Sequence, residues 1–424
     1  MQKSKKRTLF FIRAYNDLDH FTPVIAEFVK KNENPIIISY CGLIISNDYR
    51  VQYLKSIGAI DIREIPDQKF ISKSNASTFF GKLGRRVYNY TRQRNNWIAR
   101  IRRRFFFNFS NELKFLHEND VVACVFEWGT PYIRGDLIER FFLAAKSIGL
   151  KTVAIPHGAN VFVNSDVTVA YKKQFSIGKF PDNSDRNLYD YYVLQNPIRR
   201  DGWVRWGYDP IKTQAWGSPR FYSKWAKKNV TLCPAYSPSF NCDGKLKVAF
   251  MQFQKNYNIN KKEIKKSLQA LSRNPDICLV VKDSTRAGKE YFNKNKLSGE
   301  LGDSMMGWVG NEVHSPSLIK WADCVVVFGS SIGIEVLIQN KFLINPIFFH
   351  SNSTLYEYFG ASHDVFTIDG FNSVFEQIIK GDLSNDKNAI NMLLSEMVYA
   401  GANKFDVPKY YYDKISSRHL DYSK

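Results

Sequence analysis

Apolar positions along this chain alternate between two rhythms. Unbroken apolar runs at LFFIRA (9–14), PIIISY (35–40), VVACVFEW (121–128), KTVAIPHG (151–158), KLKVAFMQF (245–253), ICLVVKD (277–283) and CVVVF (324–328) do not alternate with polar residues. Such runs predict strands covered on both faces. Between them, VIAEFVKK (24–31), the stretch 134–150, KKEIKKSLQALSR (261–273) and IGIEVLIQN (332–340) repeat at helical spacing, with a further helix near 289–299 and a short apolar piece at 306–310. The polar segment YNDLDHFTP (15–23) reads as a loop after the first strand, with a helix starting near Thr22. Strand and helix in alternation predict an α/β protein with parallel, doubly wound sheets.

The rhythm breaks around 193–235, which is rich in Gly, Pro and Trp and marks the approach to a domain boundary. At 424 residues the chain suits two domains and so a cleft. We expect a first domain over 1–205 with an insertion at about 69–109, a second over 206–390, and a helical tail over 391–424 packing back on the first.

Composition narrows the class. With 44% hydrophobic and 15% aromatic residues the chain is not generally disordered, and it holds no apolar run long enough to span a bilayer. LFFI after the basic residues 1–7 is too short for a signal-peptide core, so we expect a cytoplasmic protein. Six scattered cysteines, without a CxxC pair or metal spacing, read as reduced core residues.

The net charge of +20 calls for an anionic partner. Eleven Lys or Arg and no acid fall in 69–104, where Arg85, Arg86, Arg92, Arg94, Arg100, Arg102, Arg103 and Arg104 interleave with Trp97 and other aromatics. That pattern suits an anionic membrane surface. The other readings are a solvated helix packed on the lobe, and a polyanion groove; nucleic acid is not the expected partner.

Ligands of open α/β sheets bind outside the carboxyl ends of strands. In the first lobe these loops hold Asn16, Asp17, Asp19 and His20, then Glu127, then His157 and Asn160. In the second they hold Lys282 and Arg286, His314, and the pair Ser330 and Ser331 opening a helix with Glu335 five residues past Ser330. One side offers acids and histidines, the other cations, hydroxyls and helix N-termini. The serines point to an anion, and Glu335 to a ribose hydroxyl or to a favourable first-turn acid. A transferase needs both sides: a base on the acceptor hydroxyl and positive charge on the leaving phosphate. Each residue has a plainer role too: His157 as a turn histidine, Asp19 and His20 as cap residues, Glu127 as the buried partner of an arginine, Lys282 and Arg286 as solvated cations, His314 as a helix cap. P-loop, GxSxG, HExxH and GxGxxG fingerprints are absent.

IPHG (155–158), GSPRF (217–221), VVKD (280–283) and the stretch 321–346 together resemble GT-B glycosyltransferases of bacterial surface polysaccharide assembly. They are also similar to CDP-glycerol glycerophosphotransferases and capsule Kdo and sialic-acid transferases. The resemblance implies two Rossmann-type domains facing a cleft, with Ser330 and Ser331 on the donor phosphate and His157 in the active site. RAYNDLDHFTPVI (13–25) resembles the acceptor-facing loop, placing Asn16, Asp17 and His20 on that side, and Asn160, in the first-lobe loop after KTVAI, is assigned to the same side. Two departures stand out: KDSTRAG replaces the His-Pro expected of CMP-sugar enzymes, and Gly329 stands where polyol-phosphate relatives carry an acid. The expectation is an inverting, metal-independent transferase without cofactor, peripheral on the inner membrane face, moving sugar from a nucleotide donor to a glycan or lipid-linked acceptor. His157, Glu127 and Asp19 are the candidate bases in that order; Lys282, Arg286, His314, Ser330, Ser331 and Glu335 hold the donor. The alternatives are a CDP-polyol phosphotransferase and a non-catalytic polyanion binder.

Overall fold

The computed structural model describes residues 6–40, 42–65, 109–132, 136–156, 158–253, 256–283 and 306–417. The first sheet joins β1 (Arg7–Ile12), β2 (Ile36–Ser39), β3 (Asp61–Glu64), β4 (Val121–Glu127), β5 (Lys151–Ile155), β6 (Tyr191–Leu194) and β7 (Thr213–Ala215) in the order β3-β2-β1-β4-β5-β6-β7. The second joins β8 (Leu246–Met251), β9 (Ile277–Lys282), β10 (Met306–Val309), β11 (Cys324–Val326), β12 (Phe342–Pro346) and β13 (His363–Val365) in the order β10-β9-β8-β11-β12-β13. Neighbouring strands pair in parallel throughout, as the unbroken apolar runs require. Chain direction across each sheet reverses between β1 and β4, and between β8 and β11. A crevice opens at each reversal.

Two readings of the sequence need correction. Residues 15–23 are not a loop: the helix runs Tyr15–Lys30 with Pro23 inside it. Its start is fixed by Asp17, whose Oδ2 accepts from the Arg13 and Ala14 amides at 2.7 and 2.9 Å. Pro23 lies in the third turn of this helix. The cysteines are not all reduced either, since Cys242 and Cys278 form a disulfide. The turn before β8 brings Cys242 against β9, with Cα atoms 5.4 Å apart, which is within bridging range. Cys124, Cys233 and Cys324 are free and buried.

Helix Val407–Ser416 packs against helix Tyr15–Lys30, where Tyr412 meets Phe28 edge-on at 4.7 Å and donates to Glu33 at 2.7 Å. Gly217, at φ +80°, lies under helix Lys387–Tyr399, where a Cβ would come 2.3 Å from the Val398 carbonyl oxygen. Only glycine fits that approach, so the first residue of GSPRF fixes the path between the sheets. Residues 158–168 cross toward the second sheet, with antiparallel bridges from Phe162 to Thr354 and from Thr168 to Tyr257. No helix among the described residues is long and apolar enough to cross a membrane.

Candidate functional site

The crevice of the first sheet is closed by an ion pair. Arg13 follows β1 and Glu127 ends β4, and their side chains meet at 2.5 Å. Glu127 therefore takes the second of the two roles open to it, as the partner of an arginine. Asn16 is half-buried on the first turn of the following helix; Asp17 is spent on backbone amides. His20 is fully buried and edge-on to Phe221 at 6.0 Å, turned away from solvent.

Asp19 lies on the same helix and belongs to a chain of charges that crosses from one lobe to the other. Asp48 pairs with Arg50 at 2.7 Å, and Arg50 pairs with Asp19. Asp19 pairs with Arg220 at 2.9 Å, and Arg220 with Glu335 at 2.8 Å. Asp48, Asp19 and Arg50 belong to the first lobe, Arg220 to the connection after β7, and Glu335 to helix Ile332–Ile338 of the second. Arg50, Arg220 and Glu335 are buried. Burial alone lowers an arginine's pKa, yet the carboxylates around Arg50 and Arg220 raise both. For Glu335 burial dominates and raises the pKa, with Arg220 pulling the other way. Asp48 stays below its usual range because Arg50 outweighs its burial. Three carboxylates held by two guanidiniums make a clasp between lobes, not a proton acceptor. Asp19, held by both arginines, is poorly placed as the base, and Glu335 meets Arg220 where a ribose contact was expected.

The second lobe contributes the cations and hydroxyls. Lys282, at the end of β9, is buried and donates to the Gly310 carbonyl at 2.7 Å. Burial lowers its pKa to about 8, against the raising effect of Glu312 and Asp283. Asp283 is itself held by Gln252 and Trp308, at 2.8 and 2.7 Å. His314 precedes helix Ser315–Trp321 and leans across to the first lobe, its ring 4.9 Å from that of Tyr49. Burial and the nearby Arg50 lower its pKa. Tyr49 in turn donates to Asn229 at 3.0 Å. Ser330 and Ser331 are half-buried at the start of helix Ile332–Ile338, and neither is the side-chain cap an ordinary helix start would use. Ser330 Oγ makes one long contact, 3.4 Å, with the Ile332 amide. Gly329 before them has φ +67°, and a Cβ there would sit 2.5 Å from the Phe162 ring of the crossing segment. Asn160, in that segment, accepts from the Phe162 amide at 3.0 Å.

Lys282, His314, Asp19 and Glu335 are thus brought toward one region between the lobes, with Ser330 and Ser331 at the neighbouring reversal of the second sheet. His157, Arg286 and the membrane-surface set Arg85, Arg86, Arg92, Arg94, Trp97, Arg100, Arg102, Arg103 and Arg104 lie outside the described residues. Sequence reasoning gave no role to Arg13, Tyr49, Arg50 or Arg220. The one signal available was GSPRF, whose arginine turns out to be the link between Asp19 and Glu335. Among the described residues no cluster of His, Cys, Asp or Glu is arranged to hold a metal ion.

The sequence matches no protein-family model and no curated protein. The fold is similar to that of solved structures over nearly its whole length. The S. aureus MnaA–UDP co-structure aligns with a TM-score of 0.55 at 11% identity, covering 98% of this chain and 99% of that one. The UDP-GlcNAc 2-epimerase from Neisseria meningitidis bound to UDP-GlcNAc gives 0.54 at 12%, covering 93% and 96%. The glycotransferase of kitacinnamycin gives 0.51 at 11%, covering 96% and 97%. With the two parallel sheets, these likenesses show a GT-B-type, Rossmann-like fold.

Proposed function

We propose that this chain is an enzyme acting on a nucleotide-activated sugar, and that its reaction is glycosyl transfer to a growing bacterial surface polysaccharide or a lipid-linked glycan. The observation that carries this reading is the strand-end set of the second lobe. Buried Lys282 ends β9 and two half-buried serines follow β11, on either side of β8 in a parallel sheet, while His314 reaches the other lobe. A diphosphate leaving group needs such a cation and such donors. The similar folds of a UDP co-structure, a UDP-GlcNAc 2-epimerase bound to UDP-GlcNAc and a glycotransferase support a nucleotide sugar as ligand.

In this reading Lys282, Ser330 and Ser331 bind the donor phosphates, with His314 beside them and Arg286 assigned from the sequence alone. His157 is the base that takes the acceptor hydroxyl's proton. It follows β5, whose last residue Ile155 pairs in register with Glu127 at the end of β4. The arginine partners of Glu127 and Asp19 leave His157 first among the three. Asn16 and Asn160 are the remaining acceptor-side contacts. We infer association with the inner face of the membrane from the basic aromatic segment 84–109. The reaction needs no cofactor in this scheme: lysine and hydroxyls neutralise the leaving phosphate.

A second reading, epimerisation of a UDP-sugar, is favoured by the full-length likeness to a UDP-GlcNAc 2-epimerase. The two separate in one experiment. UDP-sugars are incubated with the protein in deuterated water, with and without a lipid-linked glycan acceptor. Transfer predicts acceptor-dependent release of nucleotide and no deuterium in the recovered sugar. Epimerisation predicts a stereoisomeric sugar, deuterated at the inverted carbon, without acceptor. Retention of the donor's phosphate in the product would instead identify a polyol phosphotransferase.

A further inference from the structure

Residues 169–180 of the first lobe form a finger in which no residue is buried. Helix Val169–Phe175 buries none of its residues. Val169 is 61% exposed, Ile177 61% and Phe180 66%. Four of the thirteen large apolar side chains exposed among the described residues, these three and Tyr171, fall in these twelve positions. They therefore form a patch rather than the scattered exposure of an ordinary surface.

The finger is built to hold its shape. Gly178, at φ +68°, turns the chain after the helix, and the Lys179 amide donates to the Gln174 carbonyl at 2.9 Å. Tyr171, Phe175 and Phe180 pack in sequence at 6.0 and 5.4 Å, and Phe175 rests on Trp206 at 5.6 Å. The base is tied to the second lobe: the Val169 amide donates to Asn256 at 3.1 Å, Asn258 to the Asp166 carbonyl at 2.8 Å, and Asn352 to the Val167 carbonyl at 3.2 Å. An apolar tip on such a root is not a fraying loop.

Its charge identifies the partner. Lys172, Lys173 and Lys179 are exposed, and residues 169–181 contain no acid. Lysines are interleaved with the apolar side chains rather than set on an opposite face, so no single stripe exists to fill a protein groove. At a bilayer interface that arrangement is favourable: Ile177, Phe180 and Val169 enter the acyl boundary while the lysines reach to anionic headgroups. We propose that the finger 169–180 docks this protein on an anionic lipid surface. This goes beyond the proposed reaction, does not depend on it, and rests on other residues than the basic segment 84–109.

The test is co-sedimentation of the full chain with phosphatidylcholine vesicles and with the same vesicles containing phosphatidylglycerol. Binding is expected only to the anionic vesicles, and weaker at high salt. Ile177→Ser/Phe180→Ser and, separately, Lys172→Glu/Lys173→Glu should each weaken it at least about tenfold, since loss of buried apolar area or of headgroup attraction exceeds the 1.4 kcal/mol that a factor of ten represents. Because these side chains are exposed, thermal unfolding of both variants should match the wild type. A wild type that ignores anionic vesicles, or variants that bind as well as it does, would overturn the proposal. So would sedimentation velocity showing a self-associating wild type and monomeric variants, which would make the finger a protein contact.

Discussion

Arg220 and Glu335, 115 positions apart in sequence, meet at 2.8 Å with both side chains buried, and a second nitrogen of the same guanidinium holds Asp19 at 2.9 Å. One residue of the connecting segment thereby ties the first helix of one lobe to the helix that carries the serines' loop in the other.

Removing that residue leaves the buried Glu335 carboxylate without its cation and leaves Asp19 with Arg50 alone. Arg220→Ala should destabilise the fold by about 3–5 kcal/mol, read as a lower denaturant midpoint. Arg220→Met/Glu335→Leu should recover much of the loss, because the apolar pair no longer strands the Glu335 charge. A double variant as unstable as the single one would show that the cost is packing and not charge.

Lys282 gives the site a pH dependence. Its folded pKa is about 8, below the unfolded value of about 10.4. Below pH 8 the lysine is charged and able to bind a phosphate. Donor affinity should therefore fall as pH rises above about 8, and a calorimetric titration from pH 7 to about 9.5 reads it. Lys282→Arg, which stays charged, should flatten the profile. For the ligand-free protein the sign is opposite. Between the two pKa values the unfolded chain holds the proton and the folded one does not, so this group makes the fold more stable as pH rises through that window.

Asp48 acts at the acid end. Its pKa is lowered in the fold, so the stability it contributes is complete above its unfolded value of about 3.9 and is lost as pH falls through the folded value. Asp48→Asn should reduce stability at pH 7 and shrink the further loss between about pH 5 and 2. An equal acid limb in both proteins would remove Asp48 from the account.

At the turn before the serines, Gly329→Ala forces a side chain into the left-handed region and against Phe162. A cost of about 1–2 kcal/mol in stability is expected from the backbone, with more from displacing the ring. Ser330→Ala should leave stability within about 0.5 kcal/mol of wild type and weaken donor binding about tenfold, the worth of one hydrogen bond to a charged group. His157→Ala should lower turnover at least about 100-fold with folding intact.

How much was legible depended on the physics each residue obeys. Helix Lys261–Arg273 and the strands β4, β5, β8 and β9 fall where unbroken apolar runs and helical spacing place them, because burial on both faces leaves no other pattern. β3, β6, β7 and β13 were missed: β3, β7 and β13 are edge strands of three or four residues, only partly buried, that write no such run, and β6, though buried, is four residues long and runs straight into the Gly- and Pro-rich stretch. The strand-end loops were legible as a set. Their partners were not, because Arg13, Arg50 and Arg220 come from elements that only the fold brings to Glu127 and Asp19. A carboxylate at a strand end looks the same in sequence whether water or a guanidinium faces it.

The most direct measurement is isothermal titration of the purified protein with UDP, CDP, CMP, GDP and dTDP, repeated with Lys282→Ala and Ser330→Ala. The account predicts saturable one-to-one binding of one nucleotide, weakened by both substitutions in a protein of otherwise unchanged fold. Absence of binding by all five, or binding that neither substitution alters, would contradict a nucleotide-sugar site at the strand ends of the second lobe.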